Sequence, residues 1–581
     1  MKAFTLFLFL LVFGLNCSAQ IFQLHIIGSS VSENKVIDSL GSNSAHTNAK
    51  SVSDAISAMS EKLSKIGFIE NQVLEYRKEN DSVYLAKFKL GEKIKSIHIY
   101  IGRRILPKGE EDEKLPDNNK DFIKDLIGLK KTEDTLFLPY SEVESFLDKT
   151  LKQLEQRGFS LATLNLINIQ KQKQTLVAEL QFTPNQQRQL NEIVLKYAES
   201  NSKNSFPKGH LIQMNRKYRN KTFNQEIVGK IRDDFDKFRF TNQLKHPEIL
   251  FTTDSTKVYV YLEKRKSNTF DGFIGFSNNE GNKLTFNGYL DLNLENTLHL
   301  GEQFSLNWKS DGNNQKTFKA GIEIPYLFKS PIGLKAQINI FKQDSTFQNT
   351  QTAIDLGYFI NYNSRMYLGY QATESSDIQN TNNTRISDYT NSFVTANFEH
   401  HKFDDIKPIF LKKTSLRMSI GTGKRTKNSL LETSGINQQF YWNINALHHF
   451  ELNKNNSIKL TLQNYYLRSD TYIINELYRF GGINSIRGFA ENSLQAHFVT
   501  AILSEYSYLL SPDLYLHSIL DYAYYQDGST NLKDTLLGIG FGMGLQTKNG
   551  LLKLAIANGS SKNQAIKFNN TILQIAYNVK F

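Results

Sequence analysis

The stretch Thr571-Ile572-Leu573-Gln574-Ile575-Ala576-Tyr577-Asn578-Val579-Lys580-Phe581 alternates without a break. Successive side chains of a strand point to opposite faces, so Leu573, Ile575, Tyr577, Val579 and Phe581 share one face, and Gln574, Ala576, Asn578 and Lys580 the other. One face suits lipid, the other water. Upstream, the same period sets Leu284, Phe286, Leu290 and Leu292 against Thr285, Asn287, Asp291 and Asn293. It also sets Leu416, Met418 and Ile420 against Arg417, Ser419 and Gly421. From about residue 268, short alternating runs separated by Asn, Gly, Ser and Asp continue to the last residue. With strands of about 10 residues plus turns, residues 267–581 hold roughly 16 strands, an even number as bacterial barrels require. No segment approaches the roughly 18 consecutive apolar residues of a spanning helix, and the mean hydropathy is -0.42. The expected fold of this half is therefore a transmembrane antiparallel β-barrel, with a large soluble β domain as the competing reading.

Two details refine the barrel. Tyr465, Tyr466, Tyr522, Tyr524 and Tyr525 cluster near strand ends, where interfacial girdles place amphipathic rings. Gly538, Gly540, Gly542 and Gly544 strip one strand face of side chains, which suits room for another segment, an easily deformed wall, or a plain bend.

Ahead of the barrel the apolar period becomes helical, and one order recurs three times: an entry strand, a striped helix, then two alternating strands. In the first copy Val52, Ala55, Ile56, Met59, Leu63 and Ile66 form the stripe and Gly67-Phe68 stops it, with strands near 69–77 and 82–90. In the second, Ser141 with Glu144 reads as a capping box. Val143, Phe146, Leu147, Leu151 and Leu154 follow, then Gly158-Phe159 and strands near 161–169 and 175–182. In the third, Asn224 is the expected cap. Ile227, Val228, Ile231, Phe235 and Phe238 form its stripe, Arg239-Phe240 replaces the stop, and strands lie near 248–252 and 257–263. An extra helix is expected in copies two and three, near 121–129 and 210–218. The expected domains are residues 20–93, 94–187 and 188–266, all small and α+β, followed by the barrel from 267.

Lys2, the apolar run Phe4 to Leu15 and Cys17-Ser18-Ala19 before Gln20 read as a signal peptide, 1–19, cut after Ala19. Lipidation of Cys17 is the alternative, although Asn16 and Gly14 make a poor site for it. Cys17 is the only cysteine, so cleavage leaves no thiol for disulfides, metal or nucleophilic chemistry. The net charge of +12 in an exported chain fits anionic lipid, acidic partners or a solvated basic surface better than nucleic acid. No His-Glu-x-x-His, Gly-x-Ser-x-Gly or phosphate-cradling loop occurs, so no enzyme and no cofactor is expected. The adjacent pairs His400-His401 and His448-His449 point to opposite strand faces, so no metal site is expected either.

The most specific string is Phe480-Gly481-Gly482-Ile483-Asn484-Ser485-Ile486-Arg487-Gly488-Phe489. Its core, Ile486, Arg487, Gly488 and Phe489, resembles the loop signature of the BamA/TamA assembly and translocation superfamily. The three repeats resemble its POTRA domains, β-α-α-β-β units strung in the periplasm. Three repeats, against the usual five or two elsewhere in such transporters, bring the architecture nearest TamA. The resemblance implies that this tip returns into the barrel lumen, where Arg487 meets an acidic residue on a neighbouring strand. Asp521, in Ile519-Leu520-Asp521-Tyr522-Ala523, best matches the family's aromatic-any-Asp-any-Gly strand, although both flanking positions depart. Glu505-Tyr506 resembles the family's Glu-Tyr-Arg strand with Ser507 in place of arginine, leaving Glu505 a second candidate. A confined guanidinium needs bidentate acceptors to offset lost hydration, and glycine lets backbone approach a wall closely. Tyr577, Val579 and Phe581 resemble the terminal signal by which outer-membrane barrels are recognised for assembly.

The resemblance implies a Gram-negative outer-membrane protein with periplasmic N-terminal domains that bind unfolded outer-membrane or secreted polypeptides, and a barrel that inserts or translocates them. The implied partners are the outer-membrane bilayer and those polypeptides, with a periplasmic or inner-membrane accessory protein left open and no nucleic acid. The alternatives are a two-partner-secretion exporter of one dedicated substrate and a passive porin.

Overall fold

The computed structural model describes residues 21–101, 117–130, 132–197, 206–278, 284–311, 315–379, 385–403, 408–410, 412–427, 436–547, 550–562, 564–567 and 571–580. The expected signal peptide with Cys17, and Phe581, lie outside the described residues. The chain divides into two units, residues 1–190 with 220–227, and residues 191–219 with 228–581.

The first unit holds two α+β domains. In the first, strands Phe22–Gly28 and Val83–Lys89 run parallel at the centre of a sheet edged by Ala45–His46 and Gln72–Lys78. Helix Ala49–Lys65 opens on a capping box between Asn48 and Ser51 and buries Val52, Ile56, Met59 and Leu63 against Leu24 and Phe88. In the second, Ser96–Ile101 and Thr175–Thr183 are the parallel centre, with Thr135–Pro139 and Thr163–Gln172 at the edges.

The Gly-Phe pairs end these helices by one mechanism. Gly67 has φ +107; its N–H donates to the Ser64 carbonyl at 3.1 Å, and the Phe68 N–H to Leu63 at 2.9 Å. Gly158 and Phe159 repeat the two bonds, to Glu155 and Leu154, both at 2.9 Å. The last carbonyls of each helix are thereby satisfied. The same glycines join one domain to the next segment: Ile94 N–H donates to the Gly67 carbonyl at 2.9 Å, and Arg188 N–H to that of Gly158 at 2.8 Å. A Cβ on Gly67 would run into the Ile94 carbonyl.

Two expectations need correction here. The first domain also has an extra helix, Val31–Leu40, which buries only Ile37 and so shows no stripe to read. Ser141 does not cap the second striped helix. A 3-10 turn over Tyr140–Glu142 leads directly into Val143–Gln156, and no side-chain cap forms. Ser141 lies inside that turn, without the extended backbone that capping requires.

In the second unit, strand Thr256–Lys264 pairs in parallel with Glu192–Tyr197 and antiparallel with Glu248–Phe251 and Thr241–Gln243. Helix Lys208–Tyr218 and the aromatic rings that follow Gln225–Asp236 pack onto turns at one end of the barrel. His210 sits 4.8 Å from Tyr326, and Phe238 4.8 Å from Tyr362, ring centre to centre. Burial, helped by Arg365, pushes the His210 pKa down to about 3.

The barrel is a closed ring of sixteen antiparallel strands, from Thr269–Asn278 to Ile572–Lys580. The ring closes through Thr269 opposite Lys580, Phe270 opposite Val579 and Asp271 opposite Asn578. Hydrocarbon offers backbone groups no partners, so a sheet that crosses it has to close. Ile354, Leu356, Tyr358, Met366, Leu368, Tyr370, Ile539, Phe541, Leu573 and Ile575 face outward and are exposed, while Asp355, Arg365 and Tyr367 are buried inside. Phe440, Trp442, Tyr466, Phe498 and Tyr524 form an unbroken run of outward rings across four strands, at centroid distances of 5.9, 4.6, 6.2 and 6.1 Å. The girdle reading is corrected for Tyr465 and Tyr525. Each neighbours an outward ring in sequence and so faces inward, where it packs in the interior apolar cluster.

Two outcomes are expected. Leu368→Arg, on the outward face, destabilises the barrel by about 2–4 kcal/mol if its site lies near the bilayer midplane, measured by urea unfolding in lipid vesicles. The neutral folded His210 refuses a proton that the unfolded chain takes up below pH 6.5. Stability of the docked third domain is thus intact above that pH and falls as pH drops toward 3. Hydrogen exchange in helix Lys208–Tyr218, corrected for intrinsic rates, is expected to accelerate at about pH 5 in the natural protein and not in His210→Phe.

Candidate functional site

Strands Asn456–Arg468 and Phe498–Ser511 are neighbours in the ring, and residues 469–497 join them. A short antiparallel hairpin, Tyr478–Phe480 with Leu494–Ala496, brings the two limbs of this loop together. The tip beyond it turns back into the lumen. Phe480, Ile486, Phe489 and Ala496 of the loop form one apolar cluster with the inward residues Val499, Ala501, Leu503, Ala523, Tyr525 and Leu536.

Within this apolar seat lies a cluster of charges. Arg487 is 4% exposed and Asp521 0%. Arg487 Nε donates to Asp521 Oδ2 at 2.7 Å and Nη2 to Oδ1 at 2.5 Å, a bidentate pair, and the Arg487 backbone N–H adds a bond to Oδ2 at 3.0 Å. Nη1 donates to Glu505, and Nη2 also reaches the Ser504 carbonyl at 3.3 Å. Glu505 in turn accepts from Lys459 Nζ at 3.0 Å. The two acidic candidates thus bind the same guanidinium together. Lys459, which no motif marked, completes a set of two cations and two anions without net charge. Buried charges are tolerated when each is paired and hydrogen-bonded, and removing one partner is strongly destabilising.

The backbone of the tip lies against the wall. Gly488 has φ +87, and a Cβ there would collide with the Asn558 carbonyl carbon and the Gly559 nitrogen on strand Gly550–Ser560. Gly559 faces the Gly488 carbonyl, and Gly538 lies under that of Arg487. Of the four glycines on strand Leu532–Gln546, then, Gly538 makes room for the loop. Gly542 and Gly544 instead accommodate the His517 and Tyr515 rings of the next strand, and Gly540 faces the backbone at Ile556.

The tip also reaches the far side. Glu491 pairs with Lys309 at 3.0 Å, on the third strand of the ring, whereas Asp521 is on the thirteenth of sixteen. Ser485 Oγ donates to Gln463 at 3.1 Å, and Gln463 Nε2 to the Asn484 carbonyl at 2.7 Å. The loop therefore crosses the lumen, fixed to it at several points. Tyr577 and Val579 lie on the last strand: Tyr577 pairs with Leu552, and Val579 meets Phe270 at the closing seam.

No protein-family model matches the chain, and no curated protein matches it. Among solved structures it is similar to BamA from Haemophilus ducreyi lacking POTRA domains 1-3, at 14% identity and TM-score 0.47, over 81% of this chain and 98% of that one. It is similar to CdiB from Escherichia coli at 13% identity and TM-score 0.48, over 91% of this chain and 98% of that one. CdiB from Acinetobacter baumannii gives 14% identity and TM-score 0.48, over 84% and 90%. At such low identities and scores, the architecture and the site stand on the strands and contacts described above.

Gly488→Ala combines a strained φ with a clash against main chain, and is expected to unseat the tip at a cost of about 2 kcal/mol or more. Heat-modifiable gel migration should show a folded barrel, while a cysteine placed at Ala523, which is fully buried in the cluster with the seated tip, becomes reactive to a water-soluble maleimide only in the alanine variant.

Proposed function

We propose that this chain is an outer-membrane factor of the BamA/TamA type that inserts or translocates polypeptides, with its three α+β domains in the periplasm. The observation that carries the reading is the neutral charge cluster around Arg487, which holds a returning loop across the lumen of a closed sixteen-strand barrel. A loop tied to both sides of the lumen suits a barrel that is normally closed better than a freely open pore.

Two further features support it. Strands Gln72–Lys78, Thr163–Gln172 and Glu248–Phe251 each form a sheet edge, with Val73, Leu74, Tyr76, Ile169 and Leu250 exposed along them. An extended polypeptide can add itself to such an edge through main-chain bonds. The closing seam has three register pairs among the described residues, against ten between the first two barrel strands and eight between the last two. It is the joint that opens with fewest bonds broken, and opening it would present strand edges to an incoming segment. The work is mechanical, with no covalent step.

Comparing the outer-membrane proteome with and without the protein tests this. Loss of several barrel proteins is expected, and Arg487→Ala should assemble yet fail to restore them. An unchanged proteome together with a constitutively open channel would overturn the proposal, and loss of one secreted protein alone would point to a dedicated exporter.

A further inference from the structure

The loop has a second anchor, on its outer limb and on strands that the tip does not use. Arg425, on strand Lys412–Lys427, is 1% exposed. Its Nη1 donates to Glu476 and to the Thr471 carbonyl at 3.1 Å, and its Nη2 to Thr471 Oγ1 at 2.7 Å. Glu476 also accepts from Gln439 Nε2 at 2.5 Å, on strand Ile436–Glu451. One residue earlier, the Asn475 carbonyl accepts from Asn349 Nδ2 at 2.6 Å and from the Tyr389 hydroxyl at 3.3 Å. The Asn475 side chain donates to Ser375 Oγ at 2.8 Å and to the Ser387 carbonyl at 2.9 Å. Ile474 N–H donates to the Arg385 carbonyl at 2.8 Å.

These partners alternate between strand beginnings and strand ends: Asn349 and Tyr389 open their strands, Ser375 and Arg425 lie near the ends of theirs, and Gln439 is near a beginning. In an antiparallel ring that alternation puts all of them at one mouth. It is the mouth away from the start of Thr269–Asn278, because the loop leaves the end of the eleventh strand, which runs parallel to the first. The limb Thr471–Glu476 is tied to the sixth through tenth strands of the ring, and Arg487 to the twelfth and thirteenth.

We propose that the limb Thr471–Glu476 is a strap that shuts this mouth, and that Arg425 and Glu476 are positioning residues that lock it independently of the tip. A guanidinium this deeply buried keeps its acceptors only while the limb is docked. If the limb lifts, Arg425 and Glu476 have to be rehydrated, so water enters with the movement. The strap therefore has two states, docked and dry or lifted and wet, and the lifted state passes ions and small hydrophilic solutes. The inference rests on the barrel and its loop, not on polypeptide handling.

The test is single-channel conductance of the purified full-length protein in planar bilayers, comparing the natural chain with Arg425→Gln, Glu476→Gln and Asn475→Ala. Each variant is expected to raise the time spent conducting, at the level that the seated tip still allows, by about tenfold or more. In the same variants a cysteine at Ala523, buried in the cluster with the tip, should stay protected from a water-soluble maleimide, because the tip remains seated. Channels as closed as the natural protein overturn the proposal, as do channels that open only when Ala523→Cys becomes reactive. Heat-modifiable migration checks assembly. If the charge variants fail to assemble, Asn475→Ala decides alone, since it strands no buried charge. Conductance involves no polypeptide substrate, so failure of the strap and failure of the insertion reading are separately visible.

Discussion

A guanidinium taken out of water inside a barrel has to find its hydration again in the protein. Arg487 finds it in Asp521, Glu505 and the Ser504 carbonyl, while Lys459 balances the second carboxylate. That requirement fixes the position of the tip to within a hydrogen bond. With Arg487 seated, Ile486 and Phe489 fall into the apolar wall cluster. The tip backbone then comes so close to the barrel that Gly488, Gly538 and Gly559 have to lack side chains. The lumen is thereby crossed by a segment whose release exposes buried charge, a natural basis for two discrete states rather than gradual loosening.

The bilayer imposes the second constraint. Backbone groups without water must pair internally, so the sheet closes and its outward face becomes apolar. Closure still leaves one joint weaker than the rest, where Thr269–Asn278 meets Ile572–Lys580 over three pairs among the described residues. A loop pinned inside and a thin seam beside it give the wall and the lumen separate ways to open. Outside the barrel, the Gly-Phe pairs show how one local device serves two ends: left-handed glycine closes a helix, and the same carbonyl receives the N–H of the segment leading onward. In the third domain the onward N–H, from Arg265, bonds instead to the carbonyl of Phe240 at 3.0 Å, one residue beyond the place the glycines hold in the other two.

Much of this is written in local patterns. The period-two alternation around Leu573, Ile575 and Tyr577 marks a membrane strand because the two faces meet different solvents. The stripe Val52, Ile56, Met59 and Leu63 marks a helix because one face alone is buried. Helix Val31–Leu40 escaped because it buries a single residue, and Ser141 misled because a 3-10 turn displaces the helix start. Tyr465 and Tyr525 misled because composition near a strand end does not say which face a ring takes. Arg487, Asp521 and Glu505 could be named only through the resemblance of their flanking residues to the superfamily's loop and strand signatures. Arg425, Glu476 and Lys459 were not, since partners distant in sequence meet only once the ring has closed, and no spacing rule links them.

The seating of the loop depends most directly on the bond between Arg487 and Asp521, and a double-mutant cycle on that pair measures it. With Arg487→Ala, Asp521→Ala and the double variant unfolded by urea in lipid vesicles, either single change is expected to cost about 3–5 kcal/mol and the two together little more, a coupling of several kcal/mol. Costs that simply add, with a coupling near zero, would mean that the loop is held in the lumen by something else.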